Sequence, residues 1–371
     1  MTSATKLARQ ELIDMVPYQS ARRLQAGNGE FNSKIWLNAN EAPGNGEYSV
    51  NSDCINRYPD FQPSNLIQAY SNYSGISPDN LLATRGADEG IELIIRTFCR
   101  AYQDSILICP PTYGMYAISA ENHGAEVIKV PLVEQQLDLA TLESKVGQTK
   151  VVFLCSPGNP TGNLLNKQDI QATIEMFADS AIVVVDEAYI EFSPEATTAT
   201  WLSKYDNLIV LRTLSKAFAL AGLRCGFTLA NKAIIELLSK IIAPYPIAAP
   251  VAEIASRALN ANGLEQMQHR AEQTQQLASS LALWLNKQTW CSQVFPTQAN
   301  FVLFRCQDEQ SKTFIFDCLM ANNILIRDQS KQTQLECCLR ISIGSEQELN
   351  QLKQTLIMSF QTQENQLKVV E

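Results

Sequence analysis

From about Pro63 to Ala230, short apolar runs alternate with helix-like stretches, and this alternation most constrains the fold. The strand-like runs are Ser105–Cys109, Glu126–Val130, Val151–Cys155, Ile182–Asp186, Leu208–Arg212 and Cys225–Leu229. Helical spacing covers Asn65–Tyr73, Asp88–Arg100, Lys167–Ala178 and Ala233–Ile242. Strand–helix alternation of this length implies an α/β fold with a mainly parallel sheet covered on both faces. Pro244, Pro246 and Pro250 break the pattern. A long helix is expected from Leu264 to Lys287. Three shorter strands, Asn300–Arg305, Ile324–Arg327 and Cys338–Ile343, then alternate with helices and predict a second, smaller α/β domain. Residues 1–35 read as an arm with one helix, Ser3–Ile13, and residues 36–60 as irregular loop. The expected division is an arm over 1–45 packing with the small domain, a large domain over 46–255 and a small domain over 256–371.

Charge and composition narrow the function. A net charge of −9 over 371 residues argues against a nucleic-acid surface. No run of eighteen apolar residues suggests a membrane span. Met1 to Arg23 carries charges of both signs and no apolar core, unlike a signal peptide. The ten cysteines form no C-x-x-C pair, and Cys337 and Cys338 are adjacent, so reduced thiols in a cytoplasmic protein are expected. His123 and His269, the two histidines, lack metal-ligand spacing, so no metal site is expected. There is no P-loop and no G-x-G-x-x-G.

The chemistry concentrates in a few blocks. Leu211-Arg-Thr213-Leu-Ser215-Lys216 follows an apolar run, and Arg224 lies eight residues beyond Lys216 between Gly222 and Gly226. Asp186 closes Ala181-Ile-Val-Val-Val, a buried-strand pattern. A lysine amine, a buried carboxylate, hydroxyls and an arginine are what pyridoxal 5′-phosphate needs from a protein. Asp186 could equally cap a helix or join an ion pair, and Tyr189 could reach the same ligand or simply pack. Arg85-Gly86-Ala87-Asp88-Glu89-Gly90 precedes the apolar stretch Ile91–Phe98. It reads as a phosphate site at a helix N-terminus or as a plain N-cap by Asp88. Ser156-Pro-Gly-Asn159-Pro160-Thr-Gly162 is a turn, but it follows a strand. In a parallel sheet it would meet Asp186, Thr213 and Gly86 at the carboxyl edge, where ligands bind. Arg327 and Arg340 each interrupt an apolar run. A guanidinium there is solvent-facing or binds a carboxylate or phosphate.

Together these blocks resemble the fold-type I pyridoxal-phosphate enzymes, the aspartate-aminotransferase-like family. Leu37-Asn-Ala-Asn40-Glu41, Asn56-Arg-Tyr58-Pro59, Pro110-Pro-Thr-Tyr113-Gly-Met-Tyr and Ala243-Pro-Tyr-Pro246 sharpen the likeness to its histidinol-phosphate aminotransferases of the enterobacterial type, from about Pro17 to Gly344. One departure is Gly158, where relatives often carry asparagine. The resemblance implies that Lys216 forms an imine with pyridoxal phosphate and that Asp186 pairs with the ring nitrogen. Tyr189 and Asn159 would bond the ring oxygen, and Tyr113 would stack on the ring. The cofactor phosphate would be held by the backbone of Ala87 and Asp88, by Thr213, Ser215 and Arg224, and by Tyr58 from a neighbouring subunit of a homodimer. Arg340, helped by Arg327 and Tyr18, would take the substrate's anionic end, and Asn40 and Glu41 would line the pocket beside Asn159. The implied reaction exchanges an amino group between histidinol phosphate and 2-oxoglutarate. Rival readings are an aromatic aminotransferase, a lyase of the phosphothreonine-decarboxylase type and a pyridoxal-phosphate-dependent regulator. No added basic DNA-binding segment supports the last.

Overall fold

The computed structural model describes residues 34–44, 48–51 and 55–370, with Leu7, Arg9, Ile13 and Met15 of the arm. Side chains are described as far as residue 362. The expected arm helix falls mostly outside these residues, and Tyr18 falls wholly outside them.

In chain order the first elements are β1 (Ile35–Trp36), α1 (Ser64–Ser74), β2 (Leu81–Thr84), α2 (Gly86–Phe98), β3 (Ser105–Ile108), α3 (Met115–His123), β4 (Glu126–Lys129) and α4 (Leu139–Glu143). There follow β5 (Val151–Cys155), α5 (Lys167–Met176), β6 (Ile182–Asp186), β7 (Leu208–Thr213), β8 (Gly226–Ala230), α6 (Lys232–Ser239) and α7 (Ala249–Ala258). The remainder is α8 (Ala261–Leu285), β9 (Cys291–Val294), β10 (Phe301–Cys306), α9 (Glu309–Ala321), β11 (Ile324–Leu325), β12 (Arg327–Asp328), β13 (Cys338–Ser342) and α10 (Glu346–Val370).

Strands β2-β8-β7-β6-β5-β3-β4 form a seven-stranded sheet. Only β8 runs antiparallel to its neighbours, β2 and β7; the other paired strands are parallel. The exception has a local cause. The β7–β8 connection contains no crossover helix, only a short 3₁₀ turn at Ala221–Leu223, so the chain returns beside the strand it left. Strands β5 and β7 are buried at every position, as strands covered on both faces must be. One core, with Leu107, Leu154, Phe177 and Phe227, fills one face. The other, with Ile91, Ile94, Phe153 and Leu211, lies under α2 and α3. On the first face Tyr70 stacks on Phe227 with ring centroids 3.6 Å apart.

A four-stranded antiparallel sheet, β12-β13-β10-β9, carries a third core around Leu281, Trp290, Phe304 and Ile341. Here the expected strand Ile324–Arg327 is split. Ile324 and Leu325 pair in parallel with Ile35 and Trp36 of β1, whereas Arg327 pairs with Arg340. Thus Ile35 and Trp36, within the span expected to form the arm, join the C-terminal part of the molecule. Helices start where a side chain can satisfy a free N–H: Asn166 for α5, Asn231 for α6, Asn260 for α8 and Asp308 for α9. Pro250, read as a pattern breaker, instead sits in the first turn of α7, where no backbone N–H is needed.

Candidate active site

Parallel register brings the chemical blocks to one edge. Cys155 pairs with Asp186, and Asp186 with Leu211, so the Ser156–Gly162 loop, Asp186 and Thr213 emerge side by side at the carboxyl ends of β5, β6 and β7. They open onto a cavity of ≈ 530 Å³. Asn40, Glu41, Ala87, Asp88, Tyr113, Asn159, Asp186, Tyr189, Thr213, Ser215, Lys216, Arg224, Arg327 and Arg340 all line it. Tyr58 does not. It is 80% exposed and stacks on Tyr245 at 4.4 Å, beside a second cavity.

One end of the site is built for an anion. Helix α2 opens there, presenting the backbone of Ala87 and Asp88 at its positive end. Gly86 adopts φ +74°, and a Cβ there would lie 2.7 Å from Arg224 Nη2. A Cβ on Gly226 would come within 2.6 Å of the Gly86 carbonyl carbon. These two glycines therefore let the helix start, β8 and the guanidinium close together. Thr213 donates to Ser215 at 2.8 Å, and Arg224 reaches Ser215 Oγ at 3.4 Å. The N-cap of α2 is Arg85, not Asp88. The Asp88 side chain, within the first turn and lining the cavity, instead accepts from Arg224 at 3.2 Å and from the Tyr113 hydroxyl at 3.0 Å.

The other end is a buried carboxylate. Asp186 is 3% exposed and accepts from the Tyr116 hydroxyl at 2.6 Å and from the Ala188 N–H at 3.1 Å. Burial raises its pKa to about 6, with the Tyr116 hydrogen bond working against the rise. Lys216 is also affected by burial. Desolvation, followed by the nearby Arg340, lowers its amine to about 8. Its Nζ donates weakly to the Ala39 and Asn40 carbonyls at 3.5 and 3.4 Å and lies 5.5 Å from the Tyr189 ring centre. The Tyr189 hydroxyl accepts from Asn40 at 2.8 Å and from Asn159 at 3.3 Å, and its pKa is raised by burial.

Arg340 is buried, lies 5.1 Å over Phe301 and donates to Asn159 Oδ1 at 2.6 Å. It thus ties the small sheet to the Asn159 loop. Gly158 suits that loop: a side chain there would press on Thr161 Oγ1 at 2.5 Å and Asn163 Oδ1 at 3.0 Å.

Sequence reasoning missed several members. Ser342 receives the Asn40 N–H at 2.8 Å; it lies two residues past Arg340, so period-two alternation on β13 was a usable signal. Gln329 and Gln332 also line the cavity, joined by a 3.2 Å hydrogen bond, and nothing in the sequence marks them. Beneath the floor, Arg212 pairs with Glu187 at 2.8 Å and with Glu191 at 3.6 Å, bracing the ends of β6 and β7. Among the described residues no group of His, Cys, Asp or Glu could hold a metal, and no helix is long and apolar enough to cross a membrane.

The donor set matches pyridoxal phosphate. An anion cradle lies at a helix start, and a lysine amine is partly neutral at physiological pH. A buried carboxylate lacks a cationic partner among its own hydrogen bonds, a need that a pyridinium N–H meets. Comparison with known proteins agrees. The family description aminotransferase class I and II matches residues 32–356. Histidinol-phosphate aminotransferase of Colwellia psychrerythraea is 66% identical over 363 residues, 95% of this chain and 98% of that one. The Yersinia enterocolitica protein of the same name is 50% identical over 348 residues, 94% of this chain and 91% of that one. The solved structure of histidinol-phosphate aminotransferase from Sinorhizobium meliloti in complex with pyridoxal-5′-phosphate has a TM-score of 0.84. It is 24% identical, covering 97% of this chain and 99% of that one. With this coverage and identity, the chain belongs to the class I and II aminotransferases, in the group of the histidinol-phosphate aminotransferases.

Proposed function

We propose that the protein uses pyridoxal phosphate to transfer an amino group between L-histidinol phosphate and 2-oxoglutarate, giving imidazole-acetol phosphate and L-glutamate. The reading rests above all on one cavity lined at once by Lys216, Asp186, Arg224 and the pair Arg327 and Arg340. The 66% identical relative named histidinol-phosphate aminotransferase supports the substrate.

When bound, pyridoxal phosphate supplies an electron sink for negative charge developing at the substrate carbon. The protein does the rest. Ala87 and Asp88 through their backbone, Thr213, Ser215 and Arg224 would hold the phosphate. Asp186 would accept the ring N–H, Tyr189 and Asn159 would bond the ring oxygen, and Tyr113 would cover a ring face. Lys216 Nζ would attach the cofactor and, once the substrate's amino group has displaced it, would be the free amine that takes the proton from the substrate's Cα, already being within reach. Arg340, with Arg327, binds the anionic end of either substrate, because a guanidinium fork suits carboxylate and phosphate alike. Asn40 and Glu41 border the substrate, and Tyr18 is assigned to the same task.

The division into a large domain over 46–255 and a small one over 256–371, with the arm on the latter, puts Arg327 and Arg340 on the part opposite Lys216. The working form is a cytoplasmic homodimer in which Tyr58 of one subunit completes its partner's phosphate site. The exposure of Tyr58, and of Tyr48, Val50 and Ile55 near it in sequence, supports that interface.

Arg340→Ala is expected to raise KM for both histidinol phosphate and glutamate about 10-fold or more, the worth of a hydrogen bond to a charged group. The cofactor absorbance should stay intact. Steady-state kinetics with each substrate checks this, and an unchanged KM for either would refute a shared anchor. The function itself is tested by mixing the cofactor-loaded protein with histidinol phosphate in the absence of keto acid. The cofactor band should convert to the amine form and be restored by 2-oxoglutarate. A response to phenylalanine of comparable efficiency would make the enzyme an aromatic aminotransferase. Release of carbon dioxide from phosphothreonine would make it a lyase.

A further inference from the structure

Asp186 is served from behind by a residue that does not line the cavity. Tyr116, on α3, is fully buried, and its ring stacks on Phe153 of β5 at 4.7 Å with 10° between planes. Tyr113 meets it edge-on at 5.6 Å. The Tyr116 hydroxyl donates to Asp186 Oδ2 at 2.6 Å, short for such a bond, as is usual when the acceptor is charged. A phenylalanine would fill the same apolar slot. The hydroxyl therefore needs an explanation beyond packing, since burying it without a partner is unfavourable.

We infer that Tyr116 is a positioning residue: its hydroxyl holds Asp186 in the ionised form that the cofactor's ring N–H requires. The inference rests on the role proposed above for Asp186. The surroundings make such a donor necessary. Asp186 faces Cys155 on β5, Asp88 on α2, and Glu187 and Tyr189 in the turn that follows its own strand. Burial and the charges of Asp88 and Glu187 all oppose a second negative charge, whereas Tyr116 and the Ala188 N–H favour it. Burial also keeps Tyr116 protonated, so it remains a donor across the working pH range. Removing the hydroxyl takes away the larger of the two aids, and Asp186 then takes up a proton at higher pH.

The test is the affinity of the ligand-free protein for pyridoxal phosphate, read by absorbance and fluorescence at about pH 8 and about pH 6. Wild type, Tyr116→Phe and Asp186→Asn are compared. The cofactor's own ionisations are common to all three proteins and cancel in the comparison. Tyr116→Phe is expected to weaken binding about 10-fold at the lower pH and distinctly less at the higher one, where even a weakened carboxylate is ionised. Equal losses at both pH values would mark a merely structural effect and overturn the inference, as would wild-type affinity at both. Asp186→Asn separates the two readings. If it binds like wild type, the role of Asp186 itself fails. If it is impaired while Tyr116→Phe is not, only the role of Tyr116 fails. Phe153→Leu, which disturbs the stacking but keeps the hydroxyl, should leave the ratio of the two affinities unchanged; a ratio like that of Tyr116→Phe would assign the effect to packing.

Discussion

Lys216→Ala is expected to abolish turnover, with a loss of at least about 10⁴-fold, while the variant still takes up pyridoxal phosphate. The loss should be this large because one atom has two tasks. Nζ is the proposed point of cofactor attachment, and the same Nζ is the proposed base at the substrate carbon. A positioned general base alone contributes about 10² to 10⁴-fold. The environment prepares it for both. Burial and Arg340 bring the amine down to about 8, so a sizeable neutral fraction exists near physiological pH, where an exposed lysine would be almost wholly charged. Since only the neutral amine attacks or accepts a proton, cofactor attachment should speed up as pH rises through about 8 and level off above it. Retention of the cofactor follows from the separate anion cradle at the start of α2, which Lys216 does not build. A single-turnover experiment checks the claim. Conversion of histidinol phosphate within about ten-fold of the wild-type rate would show that another group carries the proton.

Asp186→Ala is expected to lower turnover about 10² to 10³-fold, the usual cost of removing one preorganised electrostatic partner. It should also weaken cofactor binding. The carboxylate is almost completely buried, so its interaction with a pyridinium is little screened by water. Its removal has a second consequence: the Tyr116 hydroxyl, fully buried, loses its acceptor. The pH dependence follows from the raised pKa of about 6. The ionised form, the one proposed to bind the ring N–H, dominates above that value and is lost as pH falls through it. Wild-type affinity for pyridoxal phosphate should therefore decline below about pH 6, and the part of that decline due to Asp186 should vanish in the variant. Equilibrium binding across pH decides the matter. Near-normal turnover by Asp186→Ala would refute the pyridinium contact.

How much of this could be read from the chain differs by element. The strand ending in Asp186 was legible to the residue, because Ile182-Val-Val-Val admits no other partner than a buried sheet. Arg340 stood out because a guanidinium in an otherwise apolar strand needs a partner, and it finds Asn159. Tyr116 went without a role for the opposite reason: the last tyrosine of the Pro110–Tyr116 block looks the same whether or not its hydroxyl has an acceptor. Gln329 and Gln332 gave no signal, since neutral amides are common on surfaces and only the fold turned these two toward the cavity. The salt bridge of Arg212 with Glu187 was equally hidden, as the partners lie 25 positions apart and meet only through the β6–β7 register.

The sequence by itself determined the α/β class, the parallel core strands and the list of reactive side chains, because hydrophobic period and residue chemistry are local properties. Tertiary structure alone decided which of them share a cavity and how each is charged. Lys216 comes down to about 8 and Asp186 up to about 6 through desolvation, and desolvation depends on what packs around a group. That packing is set by strand order and register, which bring residues far apart in the chain to one sheet edge.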